Sequence, residues 1–185
     1  MLSGEKVQLR AIERRDLENC LKWINDPEVT RYLLITDPVS AVAEEKWIEA
    51  AARGDSPNSK QFTVETLDGD YVGQIGLHEI DWRHRHATAG IVIGVKEYWD
   101  KGYGSDAMRT LLRYAFDTLN LHKVSLGAFA DNKRALRTYE KCGYRTIGVQ
   151  REHRYSYGRY QDEVMMEVLE DEFRRAEAAR KPGQA

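Results

Sequence analysis

The stretch Tyr98-Trp99-Asp100-Lys101-Gly102-Tyr103-Gly104-Ser105 lies where one periodicity ends and another begins. Before it, Ala87 to Val95 is largely apolar, the pattern of a strand central in a sheet. After it, Met108, Leu111, Leu112, Ala115, Phe116 and Leu119 recur at helical spacing and form one apolar stripe. A helix start leaves backbone N–H groups unpaired and carries partial positive charge. Glycines there let the main chain close on an anion with no Cβ in the way. A diphosphate fits that description.

Other readings of the same residues are weaker. A lone G-x-G is more often a plain turn than a ligand loop. The P-loop spacing G-x-x-x-x-G-K-S/T does not occur. Gly102, Gly104 and Ala107 satisfy G-x-G-x-x-A, but they sit mid-chain behind hairpins. No acid follows about twenty residues later to hold a ribose, which disfavours an NAD(P)-binding domain.

Working outward, Val7, Leu9 and Ala11 alternate with polar residues as in a strand. Leu17, Cys20, Leu21 and Ile24 share a helical face that Asn25-Asp26-Pro27 brings to an end. A second helix is expected after Ser40, with Trp47, Ile48 and Ala51 inward. Phe62 and Val64, the Asp68-Gly69 turn and Tyr71 to Leu77 read as a hairpin. Beyond the central helix come a strand at Val124 to Phe129 and a helix capped by Asp131 or Asn132 and closed by Gly143. Strands at Tyr144 to Val149 and Val164 to Val168 follow. The class is α/β (α+β), with residues 1–170 as one domain and 171–185 as a fraying helical tail.

The 185 residues include 42% hydrophobic and 31% charged, with a formal net charge of -2, as in a single globular domain. That balance disfavours nucleic acid as the main partner, since phosphate backbones call for an excess of Lys and Arg. No run of eighteen apolar residues occurs, and residues 1–20 are charged throughout, so neither a membrane span nor a secretion signal is expected. Cys20 and Cys142 lie far apart and read as reduced thiols of a cytoplasmic protein. His84-Arg85-His86 offers two imidazoles with no carboxylate or thiol at ligand spacing. It reads as a polar turn, and no metal site is expected.

Several segments together resemble the GNAT superfamily of N-acetyltransferases. Its central motif is Gln or Arg, two residues, Gly, one residue, then Gly or Ala, and Trp99 to Gly104 is similar to it, with Trp99 at the first position. Asp131-Asn132-Lys133-Arg134-Ala135 through Tyr139-Glu140-Lys141-Cys142-Gly143-Tyr144 resembles the segment N-x-x-A-x-x-x-Y-x-x-x-G followed by Phe or Tyr. Leu9-Arg10, Asp16-Leu17 and Trp23 to Val29 resemble the branch of ribosomal-protein N-terminal and spermidine N-acetyltransferases. The likeness spans roughly residues 7 to 168.

The resemblance implies a mixed, mostly antiparallel central sheet flanked by helices, with acetyl-CoA as co-substrate. The acceptor would be a protein N-terminus, a polyamine or another small primary amine, acetylated directly in a ternary complex. It implies that the edge of Ile91-Val92-Ile93-Gly94-Val95 pairs with the pantetheine amides, with Gly94 at a bulge. Trp99, Lys101, Gly102, Tyr103, Gly104 and Ser105 would hold the diphosphate, with Lys101 toward it and Asp100 toward solvent. Asn132 would cap its helix or meet the pantetheine. Tyr139 would be the general acid, its phenol protonated at neutral pH with a reference pKa of about 10. Thr88 stands where relatives often carry Glu, which disfavours a strand carboxylate as base; His78, Glu79 and Asp81 lie where the amine could approach, with His78 and Glu79 the candidate bases. Strand alternation lets at most one of these face the cleft. Tyr155, Tyr157, Tyr160 and Asp162 would line the acceptor side. The branch implies a homodimer. The competing reading is a non-catalytic acyl-CoA-binding module, and the tyrosine at 139 argues against it.

Overall fold

The computed structural model describes residues 1–180. Strands β1 (Leu2–Ser3) and β2 (Val7–Arg10) lead into helices α1 (Leu17–Ile24), α2 (Pro27–Thr30) and α3 (Ala41–Arg53). Then follow β3 (Lys60–Thr66), β4 (Tyr71–Asp81), β5 (His86–Ile93), α4 (Tyr103–Arg113) and β6 (Lys123–Phe129). The chain continues through α5 (Lys133–Lys141), β7 (Arg145–Ser156), β8 (Arg159–Leu169) and α6 (Glu170–Arg180). The strands form one sheet in the order β1-β2-β3-β4-β5-β6-β8-β7, antiparallel except where β5 meets β6. This is the expected mixed sheet. None of the described helices is long and apolar enough to cross a membrane.

The caps explain where helices begin and end. Ser40 Oγ accepts from the Ala43 amide at 3.2 Å to start α3, and Gly54 ends it at φ 66°, a left-handed turn natural to glycine. Asn25-Asp26-Pro27 ends α1 as expected, but the same residues start α2. Asp26 Oδ1 accepts from the Glu28 amide at 2.9 Å, and Pro27 occupies the first helical position. The apolar stripe of α4 and its continuation is fully inside: Met108, Leu111, Leu112, Ala115 and Phe116 pack on Val124, Leu126, Met166 and Val168.

Other expectations need correction. Trp47 faces solvent, 39% exposed, because the buried face of α3 is carried by Ile48, packed against Ile12 and Cys20, and by Glu44 one turn before it. Cys20 and Trp23 are the buried residues of α1, while Leu17, Leu21 and Ile24 are only half-buried. The last two strands reach far past the expected apolar runs. β7 has almost no buried residue because it is the edge strand, so no alternation marks its length. Nor does α6 fray within the described residues: Phe173 is buried against Phe116, ring centroids 5.5 Å apart. The rest of the expected tail, 181–185, lies outside the described residues.

Candidate active site

The central feature is a gap in the sheet. β5 pairs with β6 only over His86 to Thr88, opposite Lys123 to Ser125, while β6 stays bonded to β8 along its whole length. Past Thr88 the two strands part, so Ala89 to Ile93 has no strand on that side. The opening becomes a cleft with Ile91, Val92 and Ile93 on one wall and Gly127, Ala128 and Phe129 on the other. The start of α4 and one face of α5 close its helical end, while Val29, Tyr32 and Leu33 stand at the opposite end.

The glycine loop meets the cleft at the α4 N-terminus. Gly102 adopts φ 87°, no side chain caps the helix, and the Ser105 hydroxyl donates back to the Gly102 carbonyl at 3.0 Å. The first amides of α4 are therefore an uncapped donor set with the partial positive charge of an 11-residue helix behind them. Lys6 Nζ donates to the Lys101 carbonyl at 2.9 Å and fastens the loop to the N-terminal strands. Trp99 Nε1 donates to the Ile93 carbonyl at 2.7 Å, and the Arg134 guanidinium stacks on the indole at 3.9 Å.

Ile91, Val92, Ile93, Trp99, Gly102, Gly104, Ser105, Asn132 and Tyr139 come together as cleft lining, as expected. Gly94, Val95, Lys101 and Tyr103 do not line it. The Gly94 and Val95 amides both donate to the Val72 carbonyl, at 2.9 and 3.3 Å, which is the expected bulge but leaves neither amide free. Tyr103 packs edge-on against Tyr98, 4.7 Å between centroids. Asp100, expected to point away, lines the cleft mouth in a left-handed conformation at φ 57°, while Lys101 does not. Asn132 resolves its two roles toward capping: its Oδ1 accepts from the Ala135 amide at 3.1 Å.

Tyr139 lies on the cleft wall, its ring 5.9 Å from that of Tyr144. Burial pushes its phenol up to about 12, so the hydroxyl keeps its proton throughout the working range. His78 and Glu79 line neither this cleft nor the cavities beside it. The alternation argument also fails for them. Glu79 sits in a β-bulge at φ 51°, and Thr88 donates to its carboxylate at 3.1 Å, while His78 is the register partner of that same Thr88. The bulge thus puts both side chains on one face. Burial lowers the His78 pKa and favours its neutral form.

A second cavity adjoins the first and shares Leu33 and Phe129 with it. Tyr155 and Tyr157 line it with His153, Arg154, Arg31 and Asp37. Tyr160 stays outside, stacked edge-on against Tyr155 at 5.0 Å, and Asp162 accepts from the Glu152 amide at 2.9 Å. Sequence reasoning missed Glu163, which is buried with Arg154 at 2.9 Å and His153 at 3.4 Å. Its carboxylate occupies the space a side chain at Gly127 would need, so a larger residue there would have to displace Glu163 from its partners. Arg134, Arg137 and Lys141 were missed as well. Their helical spacing sets all three on the α5 face that lines the cleft.

Residues 6–145 match the family model described as the acetyltransferase (GNAT) domain. The spermidine N(1)-acetyltransferase of Vibrio cholerae is 30% identical over 170 residues, covering 92% of this chain and 96% of its own length. The L-amino acid N-acetyltransferase of Escherichia coli is 28% identical over 163 residues, covering 87% and 96%. The crystal structure of the Vibrio cholerae spermidine N-acetyltransferase in complex with CoA and spermine superposes with a TM-score of 0.82 at 30% identity. That match covers 90% of this chain and 97% of the other. The chain belongs to the GNAT acetyltransferase family and is an N-acetyltransferase with acetyl-CoA as its co-substrate.

Proposed function

We propose that the chain moves the acetyl group directly from acetyl-CoA to a primary amine, with both substrates bound at once. The observation that carries this reading is the continuous opening. It runs from the α4 N-terminus, through the gap between β5 and β6, to the cavity lined by Tyr155 and Tyr157. The diphosphate belongs at the amides of Gly102 to Ser105, with Arg134, Arg137 and Lys141 adding positive charge along α5. The pantetheine lies in the gap against Ile91 and Val92. The Ile93 carbonyl already accepts from Trp99 and marks the end of the free strand edge. Tyr139 donates its proton to the departing thiolate. The amine enters neutral from the second cavity. His78 and Glu79, which line neither opening, are left without a place in that step.

The similarity to spermidine N(1)-acetyltransferases makes spermidine the first acceptor to test. A second reading has its own observation. Among the charged residues lining the second cavity are Arg31, His153 and Arg154 against Asp37, a balance that suits an amine carried beside a carboxylate. Ile147 and Val149, exposed on the edge strand β7, support a homodimer, and the free thiols of Cys20 and Cys142 support a cytoplasmic setting.

The test is CoA release from acetyl-CoA across spermidine, N-terminal peptides and free amino acids. Saturable release with a primary amine is expected. If CoA binds and no amine in the panel releases it, the proposal fails and the binding-module reading takes its place.

A further inference from the structure

The turn between β4 and β5 holds a group of side chains that acetyl transfer does not use. Asp81, His84 and His86 each offer one ligand atom, and these three atoms lie within 4.8 Å of one another. Asp81 Oδ2 is 2.9 Å from His84 Nδ1 and 3.9 Å from His86 Nε2. The carboxylate that the sequence reading found missing beside His84-Arg85-His86 is therefore supplied by Asp81, at the end of β4.

The backbone explains the convergence. Residues 84 and 86 flank Arg85, which takes a left-handed conformation at φ 58°. That conformation costs a non-glycine residue on the order of 1 kcal/mol and persists only where its surroundings hold it. Here they do. The Arg85 guanidinium donates to the Asn120 carbonyl at 2.6 Å and to the Asn120 side chain at 2.7 Å. The Arg85 carbonyl accepts from the His122 amide at 2.6 Å. With the turn so fastened to the segment before β6, the His84 and His86 rings stack at 6.3 Å with 17° between their planes. Arg85, the nearest cation in sequence to both rings, is thereby directed away from them. Asp81 is oriented too: its Oδ1 accepts from the His84 amide at 2.8 Å, which leaves Oδ2 facing both imidazoles.

We propose that Asp81, His84 and His86 form a binding site for one divalent first-row transition ion of the zinc, nickel or copper kind. Two imidazoles and one carboxylate suit those ions, whereas magnesium and calcium take oxygen ligands. Ligands about 2.0–2.1 Å from a shared ion sit about 3.3 Å apart in a tetrahedral site. Asp81 Oδ2 and His84 Nδ1, now 2.9 Å apart, must open slightly, while His86 Nε2 must close on Asp81 Oδ2 from 3.9 Å, and rotation of the exposed His84 ring and the half-buried His86 ring provides both. Water completes the coordination. To ligate through Nδ1 the neutral His84 ring carries its proton on Nε2, so the contact between His84 Nδ1 and Asp81 Oδ2 gives way to two bonds to the ion. Counted along β5 the site is about 17 Å from Ile91, so it is separate from the acetyl-transfer cleft.

Isothermal titration of the untagged full chain with Zn²⁺, and in parallel with Mg²⁺, tests the site. One Zn²⁺ per chain and no Mg²⁺ binding are expected. Affinity for Zn²⁺ should fall by about tenfold or more in His84→Ala and in His86→Asn. Acetyl transfer by both variants should be that of the native chain, which shows that they fold. Native binding that both variants retain, or no Zn²⁺ binding by the native chain, overturns the proposal.

Discussion

At the scale of single residues, the proposed transfer assigns the proton to Tyr139, and burial supports that part. A phenol pushed up to about 12 stays protonated and is available to a thiolate leaving group. Replacement by Phe keeps the ring against Tyr144 and removes only the donor. Tyr139→Phe is expected to lower kcat by about 10²-fold, the usual contribution of a general acid, with KM for acetyl-CoA little changed. Steady-state kinetics with the accepted amine read this out, and unchanged kcat would remove the phenol from the mechanism. This residue was legible in sequence from its N-x-x-A-x-x-x-Y setting. Glu163 was not, because it reaches the cleft wall through cross-strand register with Phe129, across more than thirty positions of chain.

Among the elements, β5 decides the site by pairing with β6 for three residues and then leaving it. Just past its end, the chain packs closely on α1. Any Cβ at Gly94 would run into the Trp23 indole, which itself packs edge-on against Tyr71 at 4.6 Å. Gly94→Ala overpacks this contact and is expected to destabilise the fold by about 1–3 kcal/mol. Urea denaturation measures it, and a midpoint equal to that of the native chain would show that Trp23 yields at no cost. The apolar run announced β5 as a central strand, but not where its partner departs. Parting of strands depends on the bends of both, and only one is coded in the segment itself. β7 shows the converse: with both faces in solvent, its sequence carries no periodicity to reveal its twelve residues.

The whole molecule is tied together near the N-terminus by a buried ion pair. Arg10 on β2 donates two hydrogen bonds of 2.8 Å to Asp16, which also accepts from the Thr63 hydroxyl on β3 at 2.9 Å. Burial by itself would raise the Asp16 carboxyl, but Arg10, the Glu13 amide and Thr63 hold it below its ordinary 3.8. A lowered carboxylate contributes stability that is complete above that ordinary value and lost as pH falls through the folded one. Asp16→Asn is therefore expected to cost about 2–3 kcal/mol at pH 7, since Arg10 loses one of its two carboxylates and keeps only Glu65, at 3.0 Å. The two proteins should converge in stability toward acid pH, as paired urea curves can measure. A gap that stays constant down to the acid limb would assign the loss to packing instead of charge.

The sequence by itself determined the family, the mixed sheet and the helix caps, and it singled out the glycine loop and Tyr139 as site candidates. All of these are written in local spacing: periodicity, turn residues and motifs a few positions long. Only the tertiary structure decided the rest. The splay that makes the cleft and the cationic face of α5 along it are relations between segments far apart in the chain. So is the reach of Glu163, while the closing of Asp81 on two nearby histidines hangs on Arg85 being held by the distant Asn120. They depend on register, on bulges and on left-handed residues such as Glu79 and Arg85, which no local pattern of residue types announces.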